Sequence, residues 1–293
     1  MSENSRILIL GGKSGLLGQA LVHVFQNQGL STYTLDRQDI DIFDTNNLKQ
    51  YIEELKPWQV VNTIAYTQVD NAEHEPQEAY RINANFPALL GQILKEKKIP
   101  LVHYSTDFAF DGKKDSPYTL DDEAYPLSVY GKSKLAGEQR LLQTDLPQLL
   151  ILRTAWLFGP WKTNFVQKIL TLAKSKTMLQ VVHDQVGSPT YTLDLALYTS
   201  RLINLRARGT YHLVNNGRAS WCELAAEAVS IAGSNCLIQA ITSNHYPQEA
   251  KRPAYSVLDS SAYTALTKEK PRPWAHALRD YIFTYIQPQA EQE

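Results

Sequence analysis

Tyr130 and Lys134 stand four residues apart in the stretch Val129–Glu138, VYGKSKLAGE. On a helix that spacing puts both side chains on one face, about one turn from each other. An ammonium beside a phenol favours the phenolate and lowers the phenol's pKa from about 10 towards neutrality. A phenol tuned in this way gives or takes a proton near pH 7. The spacing alone also fits an amphipathic helix with a packed Tyr and a solvated Lys. The chemistry therefore depends on what converges with the pair. One candidate is the hydroxyl pair Ser105-Thr106, which follows an apolar run and could hydrogen-bond a carbonyl.

The elements that must position these groups read as alternating strands and helices. Arg6–Leu10, RILIL, is a β-rich run that stops at Gly11. Gly12-Lys13-Ser14-Gly15-Leu16-Leu17-Gly18 follows, a G-x-x-G-x-x-G pattern, and then Leu21, Val22, Val24 and Phe25 mark a helical face. Strand, glycine turn and helix in that order suit a pyrophosphate on a helix N-terminus. In that reading Gly12 permits the turn, Gly15 admits the pyrophosphate and Gly18 lets helix and strand pack. A glycine-rich strand–helix turn without a ligand is the competing reading. Thr32–Leu35 predicts a second strand ending at Asp36-Arg37. An acid there suits a ribose 2′-hydroxyl and an Arg suits a 2′-phosphate, so the pair does not choose between NADH and NADPH.

Further strands are predicted at Gln59–Thr63, Pro100–Ser105 and Gln148–Leu152, with helices over 45–55 and 76–98. Asn83 interrupts the apolar face of the long helix; it is either a satisfied structural group or a holder of water or of the neighbouring loop. The alternation predicts an α/β fold, a Rossmann-type doubly wound parallel sheet. After Arg153 the segments shorten and become richer in Pro and Tyr, with helices expected over 163–174, 192–205, 221–232 and 274–286. The expected division is a dinucleotide-binding domain over 1–155 and a smaller, mainly C-terminal α/β substrate-binding part over 156–293, some of which returns to the first domain.

The chain has 293 residues, 43% hydrophobic and 20% charged, with a net charge of −1. That balance fits a globular protein and offers no basic stripe for nucleic acid. Cys222 and Cys236 lack metal or redox spacing, and no apolar run approaches the length of a membrane span. A reduced, cytoplasmic setting is expected. No signal peptide is read in MSENSRILILGG. His103 and His212 lie in strand-like runs and read as packed groups. His183-Asp184 lacks the companions a metal site needs.

Together the glycine turn, Thr106, Tyr130 and Lys134 resemble the extended short-chain dehydrogenase/reductase superfamily. Within it the chain is similar to the dTDP-4-dehydrorhamnose reductases. The likeness lies in VNTIAYTQVDNAE (61–73), YSTDFAFDG (104–112), SVYGKSKLAGE (128–138), ILRTAWLFG (151–159), VVHDQVGSPT (181–190), YHLVNNGRASW (211–221) and RPAYSVLD (252–259). The resemblance implies hydride transfer from NADPH or NADH to the 4-keto carbon of dTDP-4-dehydro-L-rhamnose. It implies Tyr130 as proton donor, Lys134 on the nicotinamide ribose, and Thr106 at the sugar carbonyl. Cofactor contacts are implied for Gly12, Gly15, Leu16, Leu17, Asp41, Ile42, Ala65, Tyr66, Thr67 and Tyr104, besides Tyr130 and Lys134. Substrate contacts are implied for Thr106, Asp107, Tyr130 and Trp156.

The family loop usually reads S-T-D-Y-V-F-D-G; here Phe108 and Ala109 replace two of its residues, outside the implied chemistry. Ile64 replaces a small residue near the cofactor. Some members hold Mg²⁺ at a dimer interface through a Glu where this chain has Ala20, so no such metal is expected, and monomer and homodimer both stay open. Two alternatives remain: another nucleotide-sugar reductase or epimerase, and a non-catalytic NADP-binding regulatory subunit of the methionine adenosyltransferase type.

Overall fold

The computed structural model describes residues 6–246 and 248–287. Its centre is a parallel sheet of β1 (Arg6–Leu10), β2 (Ser31–Leu35), β3 (Gln59–Asn62), β4 (Leu101–Thr106), β5 (Leu149–Thr154) and a sixth strand, Gly209–His212. The spatial order is Gly209–His212, β5, β4, β3, β1, β2, and every pairing is parallel. The chain moves outward from β1 to β2, then returns to lay β3 on the other side of β1. That reversal opens a crevice at the carboxyl ends of β1 and β3, where ligands of such sheets bind.

Every residue of β3, β4 and β5 is buried, so their apolar residues come at successive positions rather than alternating with polar ones, and the polar residues fall towards the strand ends. Alternate residues serve two cores. Leu8, Leu10, Val60, Leu101 and Ile151 pack with Leu48, Leu90 and Leu141 from helices on one face. Ile7, Ile9, Val61, Val102 and Leu152 pack on the other face against helices Leu16–Asn27 and Thr192–Asn204. A third core lies beyond the sheet. Phe158, Val166, Leu170, Leu224, Ala228, Leu278 and Tyr281 join helices Phe165–Ala173, Trp221–Ile231 and Trp274–Tyr281 there. A two-stranded parallel sheet, Met178–Val182 with Leu237–Ile241, completes it.

Two departures from the sequence reading matter for the site. The long helix expected over 76–98 is broken by a π-helical turn, Arg81–Asn85, between Pro76–Tyr80 and Phe86–Lys97. Pro87 is the cause: it lacks an N–H, and its ring would strike the carbonyl four residues back, that of Asn83. The late segment Gly209–His212, legible only as a strand-like run at Tyr211-His212-Leu213, pairs with β5 and extends the central sheet. Among the described residues no helix is long and apolar enough to cross a membrane.

Candidate active site

Ser128 caps helix Val129–Gln143, its hydroxyl accepting from Gly131 N at 3.2 Å. Two glycines set the path of this helix. A Cβ on Gly131 would lie 2.3 Å from the Phe108 carbonyl oxygen, and one on Gly137 would lie 2.1 Å from the Asn83 carbonyl oxygen. Both contacts are with backbone, so no side chain could move aside. The close approach brings the Tyr130 ring edge-to-face with Phe108, 5.6 Å between centroids. Phe108, expected to lie outside the chemistry, thus braces the candidate proton donor.

Thr106 is the last residue of β4, and Lys134 Nζ donates to the carbonyl of Tyr104 on the same strand at 2.6 Å. This alters the electrostatics expected of the Tyr130–Lys134 pair. Burial pushes Tyr130 up to about 12; the Thr106 hydroxyl opposes the shift and the charge of Asp107 adds to it. Burial pulls Lys134 down to about 8, with Glu138 opposing. The expected lowering of the phenol is therefore corrected. The ammonium is engaged by a strand carbonyl, and a buried phenolate is costly. Tyr130 is a protonated phenol at neutral pH. Glu138 accepts from buried Arg153 of β5 through both of its oxygens, fixing the far end of the helix on the sheet.

Asp107 follows Thr106 and is also buried. Thr106 Oγ1 donates to its Oδ1 at 3.1 Å, and Ser256 Oγ donates to its Oδ2 at 2.6 Å. Desolvation raises this carboxyl from 3.8 to about 6, against the pull of those two hydroxyls and of nearby amides. Ser256 belongs to RPAYSVLD, a segment that carried family likeness but suggested no contact with residue 107.

The Asn83 side chain accepts from Tyr66 N at 2.8 Å and donates to Tyr66 O at 3.1 Å and Ser133 Oγ at 3.0 Å. Ser133 Oγ in turn donates to the Tyr130 carbonyl at 2.8 Å. Of the roles open in the sequence, holding the neighbouring loop is the one its side chain performs. Glu73 also accepts from Val129 N at 2.8 Å, a second tie between that loop and the helix.

At the carboxyl end of β1 the tight turn falls on Gly11, with φ +82°, rather than on Gly12, where a Cβ would meet Thr34 at 2.5 Å. Gly15 and Gly18 both face the Gly11 carbonyl, at 2.6 and 2.0 Å for an added Cβ. Helix Leu16–Asn27 begins without a side-chain cap and without an acid in its first turn. These features suit an anionic phosphate.

Asp36 does not stand open to a ribose here. Its carboxylate accepts from Lys13 N at 3.0 Å, Ser14 N at 3.1 Å and Ser14 Oγ at 2.5 Å, bracing the glycine turn. Lys13 Nζ pairs with Asp39, while Arg37 and Asp41 are exposed. The side chains of Leu17, Ile42 and Tyr104 lie in the two sheet cores, which leaves their backbone for any cofactor contact. Tyr104 reaches away from the site to Thr199 Oγ1 at 2.7 Å. Leu16 and Ala65 are half-buried and Thr67 is exposed, all near the crevice. Tyr66 donates to Glu75 at 2.7 Å, and that carboxylate pushes the phenol up to about 12.

Trp156 adopts φ +47°, strained for a bulky residue. It stacks on Trp221 with centroids 3.5 Å apart, and a Cβ on Gly187 would meet its ring at 2.4 Å. His103 and His212 are buried; each bonds through Nδ1, to Asn62 and to the Tyr118 carbonyl respectively. Asp184 accepts from Ser243, and among the described residues no cluster of three metal-ligating side chains occurs.

The family described as "RmlD substrate binding domain" matches residues 5–286. A dTDP-4-dehydrorhamnose reductase of Aggregatibacter actinomycetemcomitans is 37% identical, over 93% of this chain and 97% of that protein. The crystal structure of a dTDP-4-dehydrorhamnose reductase from Clostridium acetobutylicum superposes with a TM-score of 0.90 at 37% identity, covering 95% of this chain and 98% of its own. That of the Bacillus anthracis enzyme, in complex with NADP, gives 0.92 at 31% identity, covering 95% and 99%. With a matching family over nearly its whole length and relatives of this identity and coverage, the chain belongs to the family of the dTDP-4-dehydrorhamnose reductases.

Proposed function

We infer that this protein reduces the 4-keto group of dTDP-4-dehydro-β-L-rhamnose to give dTDP-L-rhamnose, using NADPH or NADH. The observation that carries the reading is the convergence of Thr106, Tyr130 and Lys134 at the carboxyl end of β4, beside the uncapped helix that follows the glycine turn. That turn suits a dinucleotide: the helix N-terminus carries no side-chain cap, and no acid in the first turn repels a pyrophosphate. Gly12, Gly15, Leu16 and Leu17 would hold the pyrophosphate. Lys13, Asp36, Arg37 and Asp41 would border the adenosine ribose, and Ala65, Tyr66, Thr67 and Lys134 the nicotinamide end.

When bound, the reduced nicotinamide supplies the hydride. Everything else falls to the chain's own groups. Tyr130, protonated because burial holds its phenol at about 12, gives its proton to the oxygen that gains charge as the ketone is reduced. Thr106 donates a hydrogen bond to the same oxygen, aimed at the charge that develops in the transition state. Lys134, buried and fixed to the Tyr104 carbonyl, would orient the nicotinamide ribose. Trp156, immobilised between Trp221 and Gly187, offers a flat apolar wall to the sugar.

We propose a division of labour near residue 155, with residues around the third core holding the nucleotide-sugar. The site is assembled from one chain, so monomer and homodimer are both compatible with activity. A cytoplasmic setting fits the unpaired Cys222 and Cys236. The test is oxidation of NADPH and NADH by the purified protein with enzymatically made dTDP-4-dehydrorhamnose, and with UDP-4-keto sugars as controls. Turnover with the first and little with the second is expected. Cofactor binding without turnover on any keto-sugar would instead identify a regulatory subunit.

A further inference from the structure

The segment Arg252–Asp259 is a strap across the candidate site. At its start the Arg252 guanidinium grips Asp70 at 2.9 and 3.0 Å. In its middle Ser256 N donates to Val186 O at 2.8 Å. At its end Tyr118 N donates to Val257 O at 2.7 Å and Asp259 N to Tyr118 O at 2.8 Å. The strap therefore ties together the loop after β3, the loop that follows Asp107 and the 182–190 segment. One side chain reaches inward from it to the chemistry, that of Ser256.

We propose that Ser256 is a positioning residue for the reduction, one that acts through Asp107 to decide when Thr106 is free to donate to the sugar carbonyl. The inference rests on the reductase reading and adds a residue to it. The argument is an inventory of protons. Thr106 has one hydroxyl proton, and its oxygen already accepts from Phe108 N at 3.2 Å. That proton points at Asp107 Oδ1 while the carboxylate is ionised. When Asp107 is protonated on Oδ1, it donates to Thr106 instead, and the threonine proton turns outward to the substrate oxygen. Ser256 donates to Oδ2, so it favours the ionised carboxylate and fixes the plane of the group with Oδ1 facing Thr106.

The other groups around Asp107 do not replace this donor. The amides of its own turn act on the carboxylate, and Tyr130 on the facing helix senses its charge. Lys134, lower on that helix, is bonded to the Tyr104 carbonyl, and Arg252 is paired with Asp70. Both Asp107 and Ser256 are 2% exposed, so water does not substitute for the hydroxyl.

The experiment compares wild type, Ser256→Ala and Ser256→Thr in the full chain with NADP bound. The Asp107 carboxyl titration is followed by carbon NMR of Asp-labelled protein, assigned with Asp107→Asn. The pH profiles of kcat and kcat/KM are measured in parallel. Loss of the hydroxyl is expected to raise the Asp107 titration by about one to two pH units. It should also move the pH profile in the same direction and raise kcat at neutral pH by about five- to tenfold with little change in KM, because more of Asp107 is then protonated and Thr106 is free to donate. Ser256→Thr should restore all three. An unmoved titration, or a moved titration with an unmoved profile, overturns the proposal. The NMR reading does not need turnover, so failure of wild type to reduce dTDP-4-dehydrorhamnose would count against the function alone.

Discussion

Replacing Asp107 by Asn removes a buried charge while keeping a carbonyl to accept from Ser256 and an amide to face Thr106. Burial raises the Asp107 carboxyl from 3.8 to about 6. The sign follows from linkage. A carboxyl whose folded-state pKa is raised stabilises the fold fully below its unfolded value, and this contribution is lost as pH rises through the folded one. A shift of that size makes ionised Asp107 cost about 1 kcal/mol at pH 4.5 and about 3 kcal/mol at pH 7.5. Asn does not titrate. Urea unfolding of wild type and Asp107→Asn, run at both pH values, should therefore show the variant gaining about 2 kcal/mol relative to wild type between them. The gain should level off above pH 7, where the wild-type carboxyl is fully ionised. A difference that stays constant from pH 4.5 to 7.5 would refute the account, since it would mean that Asp107 titrates alike in the folded and unfolded chains.

Other outcomes follow from the same geometry. Tyr130→Phe keeps the edge-to-face contact with Phe108 and removes only the proton donor, so kcat should fall at least about 100-fold while NADP affinity measured by calorimetry is unchanged. Gly137→Ala puts a methyl 2.1 Å from the Asn83 carbonyl; a stability loss of about 1–3 kcal/mol in chemical denaturation should accompany reduced kcat, because the helix carrying Tyr130 and Lys134 must move. Lys13→Ala should raise KM for NADPH more than for NADH, since Lys13 is a cation in the glycine turn after β1 that could leave Asp39 for a 2′-phosphate; equal changes would remove it from cofactor selection.

Much of this molecule is legible in its sequence for a physical reason. A strand buried on both faces carries apolar residues at successive positions, so RILIL announces itself, and glycines forced by backbone contact stand out between strand and helix. Around His212 a strand-like run is legible, but its place at the edge of the central sheet is not, because Gly209 is exposed and Thr210 and Tyr211 are half-buried. The π turn escapes because Pro87 looks like a simple interruption, although its ring is what forces Asn83 out of register. Thr106, Tyr130 and Lys134 could be named because strand end and helical spacing constrain them locally. Their electrostatics could not, because the partner of Lys134 is a carbonyl on another element. Asp36 also braces the glycine turn, a contact set by backbone amides that no residue pattern reveals. Ser256 meets Asp107 only through the folded strap, so nothing near either residue in the chain points to the other.

The late position of the sixth strand has a consequence for synthesis. Until Gly209–His212 emerges, β5 is the rim of the sheet, with all six of its residues destined for burial and one row of backbone groups unpaired. At ribosomal speed the intervening stretch of roughly 55 residues takes on the order of 3–11 s to appear. During that interval the nascent chain carries an open, apolar edge of the kind that recruits other strands. Slow translation beyond Thr154, or truncation before Gly209, should therefore show first as aggregation and chaperone dependence, ahead of any loss in the glycine turn or in the helix that bears Tyr130.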